Sequence, residues 1–105
     1  MSDTMFRITV NYNHPRDPEH FLTHYREVHA PLTRTMPGVT AFEWGQCVTL
    51  DGSQPAHFVV GVLTFPSKEV AVAALTSPEG QAGAADMANF ADAGAVIDMH
   101  EVVDA

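Results

Sequence analysis

The sequence predicts an α+β protein of the ferredoxin-like type, βαββαβ, with a four-stranded antiparallel sheet and helices on one face. Three observations carry that reading. MFRITVNY (5–12) alternates apolar and semi-polar side chains, as a strand with one buried face does. Residues 18–36 place Phe21, Tyr25, Val28, Leu32 and Met36 at spacings of three and four, the pattern of an amphipathic helix. HFVVGVLTF (57–65) is apolar on both faces, as expected of a central strand covered on both sides.

Each element has its own start and stop. His14-Pro15 and Asp17-Pro18 end the first strand, with Asp17 as N-cap, Pro18 at the first helical position and Glu19 at the positive helix terminus. Pro37-Gly38 stops that helix. VTAFEWGQCVTL (39–50) reads as the second strand, and Asp51-Gly52 begins a loop ending near Pro55, so the second and third strands form an antiparallel hairpin. Pro66-Ser67 opens a short helix through Leu75. Ser77-Pro78 then starts another, GQAGAADMANFA, whose small side chains let its backbone lie close to whatever it packs on. AVIDMHEVV (95–103) closes the chain as the fourth strand. No repeat, linker or low-complexity tract interrupts this order.

At 105 residues the chain is read as one domain, 1–105. Its 46% hydrophobic and 17% charged content is globular rather than disordered. The net charge of −8 opposes phosphate backbones and anionic lipid, so neither a nucleic acid nor a membrane is expected as partner. Cys47 is the single cysteine, which excludes an internal disulfide and a cysteine-based zinc cluster. MSDTMFR lacks a basic flank before a long apolar run, and FVVGVLTF (58–65) is too short to span a bilayer, so a cytoplasmic location is expected.

Two helices cover only one sheet face. By alternation the other face should carry Val59, Leu63, Phe65, Val96 and Val102, and that much apolar surface calls for a cover. A two-fold homodimer is the simplest closure.

His29-Ala30-Pro31-Leu32 after an aromatic-rich helix, followed by Met36-Pro37-Gly38, resembles the EthD family. Ser77-Pro78-Glu79-Gly80-Gln81 with Ala88-Asn89-Phe90 is similar to that family's second-helix segment, and the similarity runs over nearly the whole chain. The resemblance implies a dimeric α+β barrel, in which two ferredoxin-like sheets pack face to face. The wider superfamily that it implies holds cofactor-independent monooxygenases, lactone isomerases, polyketide cyclases, dehydratases and haem-degrading enzymes. Such fold membership is a weak guide to chemistry.

His29 falls about 55–60° from the centre of the apolar stripe, at the edge of the buried face. Pro31 has no N–H, so the Glu27 carbonyl loses its helical partner and a kink should open space beside His29. An imidazole there suits proton transfer at neutral pH, and desolvation should keep it neutral. Tyr12, Tyr25, Trp44, His57 and Phe90 are the candidates for the pocket wall or a second proton donor. The alternative is a half-buried structural histidine among core aromatics. His20, His24 and Glu27 share a helical face at metal-ligand spacing, but a solvated charged face explains them better and no metal site is expected. His100 and Asp98 are read as lying toward the dimer barrel or the sheet edge. The glycines form neither a phosphate loop nor a dinucleotide fingerprint, and no cofactor is assigned. The expected partner is a small apolar or aromatic molecule. Cofactor-free oxygenation, isomerisation, cyclisation and dehydration stay open. So does a non-catalytic accessory role, and a haem-binding reading is weaker because His29 lies beside a kink.

Overall fold

The structure is a computed structural model that describes residues 4–103. Four strands, β1 (Phe6–Tyr12), β2 (Ala41–Gln46), β3 (Val59–Phe65) and β4 (Ala95–Glu101), form one antiparallel sheet in the order β2-β3-β1-β4. Ile8 stands opposite Leu63 and Met99, and Tyr12 stands opposite Val59 and Ala95, so β1 and β3 are the central pair. Helices cover one face: α1 (Pro18–His24), α2 (Ala30–Thr33), α3 (Lys68–Thr76) and α4 (Pro78–Asp86). This is the ferredoxin-like α+β fold. The caps follow the sequence: Asp17 accepts from the His20 N–H at 3.1 Å, Ser67 from Val70 at 3.2 Å, and Ser77 from Gly80 at 3.1 Å. None of these helices is long and apolar enough to cross a membrane.

The first helix is not continuous to residue 36. A π-helical turn, Tyr25–His29, joins α1 to α2, and the Ala30 N–H reaches back to the Tyr25 carbonyl five residues earlier. This wide turn ends two residues before Pro31, whose missing N–H and bulky ring disfavour a regular α-helical turn there. It also advances the buried face by one residue. Val28, expected inside, is 44% exposed, whereas His29 is only 6% exposed and Thr33 replaces Leu32 in the core.

The sheet faces also differ from expectation. Val59, Leu63 and Phe65 point toward the helices and are buried, in register with Tyr12, Ile8 and Phe6. The run 57–65 is apolar throughout, so alternation alone cannot choose its inner face. Register with β1 chooses it. The open face carries Val60, Val62 and Val96, interleaved with Arg7, Thr9, Asn11, Asp98 and His100. It is a mixed surface, more polar than the sequence reading held.

Between sheet and helices lie two packed clusters. One is largely aliphatic, with Phe6, Ile8, Leu63 and Phe65 against Met36 and the small residues Ala71 and Ala74 of α3. The other is largely aromatic, with Tyr12, Phe21, Tyr25, Phe58 and Phe90. The polar groups of the candidate site lie with the second, and its cavity reaches to Ile8, Met36 and Leu63 of the first.

Candidate functional site

Three elements converge on the aromatic cluster. Tyr12 comes from the last residue of β1, Tyr25 and His29 open and close the π turn, and Asp86 ends α4. Gly61 makes room for the second tyrosine. A Cβ at that point of β3 would stand 2.6 Å from the Tyr25 hydroxyl, so a larger residue would displace it.

His29 Nδ1 lies 3.0 Å from Asp86 Oδ2, and both side chains are buried. Burial pushes the Asp86 carboxyl up. Hydrogen bonds from Asn89, His24 and His29 outweigh it and hold the group below its ordinary value, as a carboxylate. The Asn89 amide donates to Oδ1 at 2.9 Å, and His24 Nε2 lies 2.8 Å from the same oxygen. A carboxylate can only accept, so His29 donates from Nδ1 and its Nε2 carries the lone pair.

Burial depresses the His29 proton affinity, opposed by Asp86, and the net direction is down. The ring is therefore neutral near pH 7, and its basic Nε2 accepts from the Tyr12 hydroxyl at 3.4 Å. Burial, first, raises the phenols of both Tyr12 and Tyr25 far above their usual range. Both keep their protons and serve as hydrogen-bond donors. The arrangement can accept a proton at Nε2, steady the resulting imidazolium against Asp86, and offer a phenolic O–H to an incipient oxyanion.

These groups face a cavity of about 100 Å³ between helices and sheet. Tyr12, Tyr25, His29 and Thr33 form its polar end; Val10, Met36, Phe42 and Leu63 are among its apolar walls. Of the candidates read from sequence, Tyr12, Tyr25 and His29 line this space. Trp44 packs on Tyr25 at 4.6 Å between ring centroids, and Phe90 on His29 at 4.7 Å, so both stand behind the lining residues. His57 precedes the buried Phe58 and does not reach the cavity.

Sequence reasoning missed Asp86, Asn89 and the part played by His24. The available signal was one acid in the otherwise small-residue run GQAGAADMANF. His24, read as solvated, is turned onto Asp86 and stacks on Phe90. His20 meets the Asn89 carbonyl at 3.0 Å. Among the described residues no three His, Cys, Asp or Glu side chains are grouped to hold a metal ion.

The EthD domain model matches residues 13–94. An uncharacterized 11.0 kDa protein in the thcB-thcC intergenic region of Rhodococcus erythropolis is 48% identical over 90 residues, covering 86% of this chain and 87% of that one. The crystal structure of an EthD family protein from Bacillus halodurans superposes with a TM-score of 0.87 at 25% identity, over 94% of this chain and 99% of the other. A hydroxynitrile lyase from Passiflora edulis shares the fold at a TM-score of 0.76 and 12% identity, over 100% and 98% of the two chains. Other structures of this fold are described as dimeric.

Proposed function

The chain belongs to the EthD family, and from that premise we propose that it binds a small apolar or aromatic metabolite between helix and sheet and transfers a proton on it, with His29 as acid/base. The observation that supports this best is the buried line Asp86–His29–Tyr12, which ends on an otherwise apolar cavity. Asp86 selects the tautomer, His29 Nε2 takes a proton from an activated carbon or a hydroxyl, and Tyr12 or Tyr25 donates to the oxygen that gains charge. Isomerisation, cyclisation and cofactor-independent oxygenation can each begin with that abstraction. The protein acts as a homodimer. The dimeric proteins that share its fold support this, as does an open sheet face bearing Val60, Val62 and Val96. Light scattering should give twice 11.4 kDa at low micromolar concentration; a stable 11.4 kDa particle would refute the dimer.

The proton-transfer reading is tested in D₂O with 2-tetralone, an apolar benzo-fused cyclic ketone with exchangeable C–H bonds beside its carbonyl. Wild-type protein should speed deuterium entry, and His29→Gln should lower that rate about 10²–10⁴-fold while still folding and binding the ketone. Equal exchange by the two proteins would leave His29 structural. Binding without exchange would favour a non-catalytic accessory protein.

A further inference from the structure

The cavity is too small for the whole of a typical apolar metabolite. Its volume is about 100 Å³, whereas an apolar cavity of roughly 150 Å³ is what accommodates a benzene ring. A ring with its hydroxyl against His29 therefore fills the cavity and already protrudes at its mouth, so any substituent must leave. The walls show where.

Leu75, at the end of α3, and Ile97, on β4, both line the cavity yet remain 40% and 55% exposed, so they form its rim. Ile97 pairs with Val10, and Met99, 52% exposed, pairs with Ile8. Val10 and Ile8 are themselves part of the cavity wall. The apolar wall inside thus runs on sideways, without a polar break, onto the exposed helix-side surface of the edge strand. The helix above keeps that passage open. Gly83 and Ala84 of α4 line the cavity, and a Cβ built on Gly83 meets nothing within 4 Å, whereas Gly80 is held to glycine by the α3 backbone at Ala74 and Leu75. Larger residues on α4 would have filled the gap and covered Ile97, as core residues do elsewhere.

Building on the proposed proton-transfer site, we infer that the ligand is an elongated amphiphile. Its hydroxyl-bearing head lies at His29 and Tyr12, and its apolar tail passes between Leu75 and Ile97 and lies along β4 to Met99. The ligand class is a phenol or enol with an alkyl or similar flexible apolar substituent. One side of the tail faces β4 and the other faces water, so each added methylene should contribute less than full burial would.

Titration calorimetry of the 105-residue chain with 4-methyl- through 4-pentylphenol tests this. Affinity should rise about twofold per methylene, roughly half the logarithmic gain expected for full burial. Met99→Lys should flatten the slope while binding 4-methylphenol as the wild type does. Affinity that peaks at 4-methylphenol and falls with length would overturn the inference and leave the head site intact. Loss of the dimer in Met99→Lys, read by light scattering, would assign the strip to a second copy of the chain and likewise overturn it. Failure of wild-type protein to bind 4-methylphenol would remove the phenol head itself. The His29-dependent exchange into 2-tetralone would then report separately on proton transfer.

Discussion

The two clusters between sheet and helices are built from different side chains for different ends. The aliphatic one joins Ile8, Leu63 and Phe65 to the alanines of α3, and no hydrogen-bonding side chain belongs to it. The aromatic one surrounds His29 and Asp86 and includes two tyrosines, whose rings bury like hydrocarbon while their hydroxyls remain usable. Aromatic rings thus allow a core to be dry and still present polar atoms at chosen points. The difference teaches that stability and chemistry are divided along the sheet, and variants should separate them.

The largest expected effect lies at the aliphatic end. Phe65→Ala should cost about 3–5 kcal/mol, because the ring is fully buried and its neighbours can collapse only partly into the gap. For a domain of this size that lowers the melting temperature by more than about 12 °C. Exchange into 2-tetralone, measured per folded molecule, should not change. A comparable loss of exchange would show that the two clusters are not separable.

Asp86→Asn attacks the aromatic end and should give the reverse balance. Stability should fall by only about 1–3 kcal/mol, since Asn keeps the shape and one acceptor. Exchange should fall at least about 10²-fold, because the tautomer of His29 is no longer dictated. Acid melts sharpen the point. The native His29 binds a proton less readily than its ordinary value of 6.5 allows. Below about pH 6.5 the unfolded chain therefore takes up a proton that the native ring resists, and stability falls as pH drops. Asp86 adds stability above its ordinary value of 3.8, lost as pH falls through its lower native value, so the two act in the same direction. His29→Gln should melt with a shallower dependence between pH 7.5 and 5. An unchanged slope would place the acid sensitivity elsewhere.

Pro31→Ala should have the smallest effect on stability, within about 1 kcal/mol of the wild type and with either sign. It supplies a missing N–H and removes a ring clash, against the loss of a residue that stiffens the unfolded chain. Phenol binding should nevertheless weaken as the π turn relaxes and His29 rotates away from Tyr12. Unchanged binding would show that packing by Tyr25 and Phe90, not the proline, holds the turn.

Much of this architecture was legible from local chemistry. Asp17, Ser67 and Ser77 marked helix starts because capping needs only residues three apart, and the alternation of 6–12 named its own inner face. What was not legible depended on distant partners. The apolar run 57–65 takes its orientation from pairing with β1. Asp86 meets His29 across 57 residues of chain, so no spacing rule could join them. Pro31 announced a disturbance of the helix but not its form, and the form decided that His29 rather than Val28 would face inward.

That widened turn also bears on how the chain tolerates changes in length. Losing one residue from a regular helix turns everything beyond it by about 100° and scrambles the packing. Here the turn already holds one residue more than an α-helix needs, with Val28 at its exposed surface. Deleting Val28 would let the turn close to ordinary α geometry while Thr33 and Met36 keep their places. The fold could absorb such a deletion at the cost of the histidine's aim, so a variant one residue shorter here would be a stable protein without its base.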